Sequence, residues 1–427
     1  MMPQPPVPHK IENIRLPEPQ EITLDNGIPL LVINSGSQEV NKIECITEGG
    51  NCDAPSQIAA QAYVALSREG TAHYQAKELE EKLDFYGSWL TAGCMNHCTS
   101  LPMFSINRHF EKVLPYFHDI FEYPTFPDDK LEVLKERTIS NLQVKRNEVA
   151  YLCNVEFNRQ FFGENHPLGR ATDDEAIRNI KREMLVDFHN EWHSPENTTI
   201  IASGLISDKA VSLINKQFGQ TPAKGAAKQS RSDAPAAFTP STSIVHKEDA
   251  VQSAVMIGIP TIPRVHPDYI PLRILVTAFG GYFGSRLMQN IREQKGYTYG
   301  ISSYLIGMRN CSCIKINCQC DNSYTYKVID EINAEIAKLQ AEPIPADELE
   351  RVRFSMLEDL LKTTDTPFSI SEYYSGKITN NIPDTYFAEQ CKAIQTITPE
   401  ELLHIARKYL TPNTQAITTI AGNKHKL

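Results

Sequence analysis

Two side chains with chemical reach flank one glycine in the stretch GGYFGSRLMQNIREQKGYTYGISSY, residues 280–304: Arg292 precedes Gly296 and Tyr299 follows it. Ser285 is placed to cap a helix in which Leu287, Met288 and Ile291 share a face, and Gly296 stops it. Tyr297, Tyr299, Ile301 and Tyr304 then sit among β-forming neighbours. The stretch reads as helix, glycine turn, strand, a geometry that can aim a guanidinium and a phenol at one point. The plainer alternative makes Arg292 a cation opposing the helix dipole and Tyr299 a half-buried strand residue.

Two other groups have the spacing of metal ligands. His189 and His193 in FHNEWH lie four apart on a helix with Glu191 between them. Because Leu185, Phe188 and Trp192 define the buried face, both histidines are expected to be solvated. Cys311, Cys313, Cys318 and Cys320 fall in NCSCIKINCQC, which alternates like a strand. Each pair then takes one face and the two pairs take opposite faces, which favours core thiols over a four-thiolate zinc site.

The elements that must position these residues follow from pattern. Residues 1–20 are Pro-rich and polar, an extended arm. The run EITLDNGIPLLVI carries a hairpin signal at Asn26-Gly27, and a strand runs through Lys42 to Thr47. A helix covers about Pro55 to Glu69, and LKERTISNLQVKRNEVA is another. From Asp173 to Gly204 come helix, helix, Ser-Pro stop and strand, and this pattern returns at an offset of 217. Ile177 matches Ile394, Ile180 Ile397, Leu185 Leu402, Phe188 Ile405, Trp192 Tyr409 and Pro195 Pro412. Residues 219–243 hold hardly a large apolar side chain and read as a flexible linker. The expected fold class is therefore α+β: two homologous α/β modules, 21–218 and 244–427, each an antiparallel-rich sheet covered by helices.

Composition excludes several partners. With 42 Lys and Arg against 52 Asp and Glu the net charge is −10, and no basic stripe is present, so nucleic acid is not expected. No apolar run approaches the roughly 18 residues of a membrane span, and the first residues lack the apolar core of a signal peptide. Ten cysteines in 427 residues fit reduced thiols better than a disulfide framework. The expected location is the cytoplasm, or the periplasm if a leader has been removed.

The 280–304 stretch resembles the C-terminal half-motif of the insulinase and pitrilysin family of zinc peptidases, small-Gly-x-x-S-R-L-x-x-x-I-R-x-x-x-G-x-x-Y before a strand. The opening hairpin is similar to the family's first. The resemblance implies a processing-peptidase-like fold in which Arg292 and Tyr299 bind the substrate carbonyl across a chamber from the zinc. The family holds that zinc with H-x-x-E-H, followed four residues later by Gly-Thr, and with a Glu seven residues past the Glu of a K-E-R start. Registered on Gly70-Thr71 and on Lys135-Glu136-Arg137, those positions hold Gln61, Val64, Ala65 and Gln143. Val and Ala can neither bind a metal nor move a proton, and a Gln carbonyl is a poor zinc donor.

The chain thus resembles a non-catalytic member of the family. That implies no metal in this chain, zinc in a homologous partner subunit, and a peptide substrate added as a strand at a sheet edge of the zinc-bearing half. Pairing with a second copy of itself stays open. So do two other functions: a peptide-binding or scaffold protein without chemistry, and a hydrolase whose metal site is rebuilt from His189, His193 or cysteines.

Overall fold

Alternating apolar residues pair Gln20–Thr23 (β1) with Pro29–Asn34 (β2) across the Asn26-Gly27 turn, where Gly27 takes φ +92°. The computed structural model describes residues 11, 13–222 and 225–427. Val40–Glu48 (β3), Trp89–Leu90 (β4), Gly93–Cys94 (β5), Cys98–Ile106 (β6) and Thr198–Gly204 (β7) complete the first sheet. Its order is β1-β2-β7-β3-β6-β4, with β5 also on β6. Ser241–His246 (β8), Gln252–Thr261 (β9), Thr298–Gly307 (β10), Ser312–Asp321 (β11) and Ile417–Gly422 (β12) form the second, in the order β10-β11-β9-β12-β8.

The sequence repeat is a repeat of topology. In each sheet one parallel pair, β2 with β7 and β8 with β12, stands beside antiparallel neighbours. The helices Asp174–Arg178 and Arg182–Trp192 precede β7 as Tyr386–Thr396 and Pro399–Tyr409 precede β12. Ile177, Ile180 and Leu185 are buried, and so are their counterparts Ile394, Ile397 and Leu402. One face of each sheet packs on helices of its own half, giving two separate large cores.

The other faces are covered by exchange. The Val149–Phe162 helix leaves the first half and packs on β9 and β12, while the Pro367–Thr379 helix of the second half packs on β2, β3 and β7. These two helices also stand at the offset of 217. Gly258 shows what the docking needs: a Cβ there would lie 2.4 Å from the Phe157 ring, so glycine lets the incoming helix reach the sheet. The helix expected through Ala150 is therefore two. The first ends at Lys145, closed by the Arg146–Asp174 ion pair at 2.8 Å and by Asn147 Nδ2 donating to the Gln143 carbonyl.

Residues 13–19 of the arm form no regular element but are docked, with Leu16 touching both halves' apolar clusters and the Pro17 carbonyl accepting from Tyr374 Oη at 3.0 Å; residues 1–10 and 12 lie outside the described residues. The linker departs further from expectation. Its described residues up to 240 form no regular element, yet it is anchored rather than loose, and the strand β8 begins inside the expected range. Asp233 is fully buried, 2.6 Å from His97 Nε2, and its carboxylate accepts the backbone N–H groups of Arg309 and Asn310 at 3.1 and 3.0 Å. Three donors on one carboxylate fix a segment that has almost no apolar surface to bury.

Candidate functional site

The chain around Arg292 is a wide helical turn. Met288–Gln294 is π-helical, with the Lys295 N–H donating to the Asn290 carbonyl and the Tyr297 N–H to that of Ile291. Leu287 and Ile291 are buried beneath it. Asn290 Nδ2 donates to Glu331 and Glu335 at 3.0 and 2.8 Å, and Arg286 makes a two-point bond to Glu348. Ser285 does not cap the turn as expected: its hydroxyl is buried and has no hydrogen-bond partner among the described residues. The guanidinium of Arg292 stands 4.7 Å from the Phe283 ring centroid and 3.3 Å from the Glu293 carboxylate.

Gly296 ends the helix with φ +64°. Tyr299 then falls in a β-bulge, because Thr298 pairs with Cys320 and Gly300 with Gln319, leaving Tyr299 without a cross-strand partner. The Thr298 hydroxyl holds the bulge by donating to the Gln319 carbonyl at 2.6 Å. The phenol is 93% exposed, not half-buried, since the bulge turns it out of the pleat.

Tyr299 lies at a groove of about 670 Å³ on the face of the second sheet opposite its own helices. Ala254, Met256, Tyr304, Lys315, Asn317 and Gln319 form much of its floor, and Ala150 at the start of the exchanged helix borders it. Arg292 is outside this lining, and no hydrogen bond joins it to Tyr299. The two therefore flank the Gly296 turn as read, with the phenol at the groove and the guanidinium beside it in sequence.

Lys315 is the groove residue that sequence reasoning missed. Its ammonium donates to Asn154 Oδ1 at 2.7 Å and sits 4.5 Å from the Phe157 ring centroid, both on the exchanged helix, and burial pulls its pKa down. A signal was present, since a lysine between Ile314 and Ile316 in an alternating strand must share the face of Cys313 and Asn317.

The positions assigned to the metal lie elsewhere. Gln61, Val64 and Ala65 are on the Gln57–Leu66 helix, which packs beside the Asp128–Lys145 helix carrying Gln143. Gln61 and Gln143 are exposed; Val64 and Ala65 are half-buried. Two carboxamides and two aliphatic groups do not fit a zinc ion. Among the described residues no three His, Cys, Asp or Glu side chains converge as a metal site.

His189 and His193 are not solvated. His193 is buried, 3.1 Å from the Glu122 carboxylate, and stacks on His189 at 4.3 Å. His189 Nε2 faces the Glu122 carbonyl at 3.2 Å and so must donate, which leaves Nδ1 to accept from Tyr63 Oη at 3.1 Å. The Phe110–Glu122 helix and Tyr63 cover a flank that looks polar on the Arg182–Trp192 helix alone. The cysteines do divide by face: Cys311 and Cys313 lie at the exchanged helix, Cys318 and Cys320 in the helix-covered core, and all four are free.

Residues 179–356 match the family model described as the peptidase M16 inactive domain. The uncharacterized zinc protease YmxG of Bacillus subtilis is 24% identical over 302 residues, 70% of this chain and 72% of that protein. An uncharacterized zinc protease of Mycobacterium leprae is 24% identical over 298 residues, 67% of this chain and 66% of that one. Among solved structures, a peptidase M16 inactive domain from Pseudomonas fluorescens superposes with a TM-score of 0.86 at 21% identity, covering 95% of this chain and 98% of its own. A protease from Helicobacter pylori gives 0.87 at 17%, covering 96% and 100%. The two-module fold is shared with both. The family match takes in the whole stretch from Gly280 to Tyr304, so this part of the chain is similar to the peptidase M16 inactive domain.

Proposed function

We propose that this chain is the non-catalytic subunit of a two-chain zinc peptidase. A homologous partner supplies the zinc and the base, and the zinc provides the hydrolytic nucleophile. Arg292 and Tyr299 bind the peptide carbonyl and donate hydrogen bonds to the oxyanion it becomes. The observation that carries this reading is the bulge at Tyr299, which holds a phenol out of the strand at the edge of a groove, directly after the clamped turn of Arg292. It is supported by the absence of zinc donors at Gln61, Val64, Ala65 and Gln143, and by relatives named zinc proteases. The cysteine usage leads us to place the pair in the cytoplasm.

The test is reconstitution. Mixing this chain with a zinc-bearing homologue should produce peptidase activity that neither shows alone. Arg292→Ala or Tyr299→Phe should leave assembly intact and lower turnover roughly a hundredfold at saturating subunit. Full turnover by the double variant in an assembled pair would favour a peptide-binding scaffold without chemistry.

A further inference from the structure

Lys315 is a cation without a counter-charge. Its ammonium has three donors, of which one goes to Asn154; the side chain lines the groove, and among the described residues it enters no ion pair. The ionisable groups that act on it are the thiols of Cys313 and Cys153, not carboxylates, and burial keeps both thiols protonated and uncharged. A desolvated cation normally carries a paired anion, because burial without one is costly. Tyr304 stands directly across the strand pair from Lys315, Gly258 on its other side has no side chain, and Met256 and Ile306 complete an apolar surround. The anion that would complete this site must therefore come from whatever enters the groove.

We propose that the groove selects peptides by a carboxylate, which Lys315 receives while the rest of the peptide passes Tyr304 towards Tyr299. This rests on reading the groove as a peptide site. An Asp or Glu side chain and a free C-terminus offer the same chemistry. The flat, open floor of Asn317, Gln319 and Tyr304 accepts either. Lys315 would then be a specificity-determining residue held in place by the exchanged helix through Asn154 and Phe157.

The experiment measures binding to the full chain alone by fluorescence anisotropy. Three N-terminally dansylated peptides are compared: an amidated peptide with one central Glu, its Gln counterpart, and the Gln peptide with a free C-terminus. At least one carboxylate-bearing peptide should bind roughly tenfold more tightly than the amidated Gln peptide, and the arm that gains identifies the source. Lys315→Met, which keeps an unbranched stem against Phe157, should abolish the difference and leave the Gln peptide unchanged. Lys315→Gln should do the same, guarding against a folding defect in one variant. Peptide binding without charge preference, or a preference that survives both substitutions, would overturn the inference and leave the peptide site standing. No binding of any of the three would overturn both.

Discussion

His97, in the turn just before β6, and Asp233 in the connector meet at 2.6 Å with almost no solvent access, although 136 residues separate them. The contact turns a segment of featureless composition into a third strut between the halves, because Asp233 also accepts the backbone of Arg309 and Asn310. Burial alone would raise its pKa, but His97 and these N–H groups hold it below the ordinary carboxylate value.

Asp233→Ala should therefore lower unfolding stability by about 3 kcal/mol, since it strips the buried His97 and two backbone N–H groups of their acceptor. The sign with pH follows from the lowered pKa. The contribution is complete above the unfolded-state pKa of about 4 and is lost as acid takes the pH through the lower folded value. Urea titrations of both proteins at neutral pH and in acid should converge in acid; a difference unchanged by pH would contradict this account.

Gly258→Ala tests the helix exchange. The added methyl meets the Phe157 ring at a distance no packing tolerates, so the Val149–Phe162 helix must lift from the sheet, at a cost of about 1–3 kcal/mol. Hydrogen exchange should quicken along that helix first. Unchanged protection there would mean that the ring simply swings aside.

Gly296→Ala separates backbone strain from contact. Nothing lies near its Cβ position, so the change acts through φ +64° alone and should cost about 1 kcal/mol. Because this turn links Arg292 to Tyr299, turnover by the proposed two-chain peptidase should fall roughly tenfold as well. Loss of stability at full turnover would show that the turn is a connector and nothing more.

Metal content is the fourth prediction. The purified chain should hold far less than one equivalent of zinc by elemental analysis, and the combined change Gln61→His, Val64→Glu, Ala65→His and Gln143→Glu should raise it towards one. Stoichiometric zinc in the unaltered chain would defeat the assignment of those positions.

Much of the architecture was legible in local pattern. The Asn26-Gly27 hairpin, the alternation that splits Cys311 and Cys313 from Cys318 and Cys320, and the repeat from Ile177 to Pro195 each express a period or a turn preference that survives folding. What escaped was set by distant partners. His193 is buried by Phe121 and Glu122 from another helix, Asp233 by loops on both halves, and Tyr299 is freed by a one-residue bulge that leaves no mark on composition. The π-helical turn escaped for another reason: Leu287, Met288 and Ile291 suit an α-helix equally well.

The exchanged helices also impose an order on synthesis. The first sheet is complete once Gly204 has emerged, but Ile33, Ile46 and Ile201 on one face wait for Ile370 and Tyr374, which arrive more than a hundred and fifty residues later. A nascent chain must hold that face bare for most of its remaining translation. At elongation speeds of roughly 5–20 residues per second this lasts many seconds, long enough to make the half-made protein a client for chaperones. Premature termination in the connector would leave a sticky fragment rather than a working half.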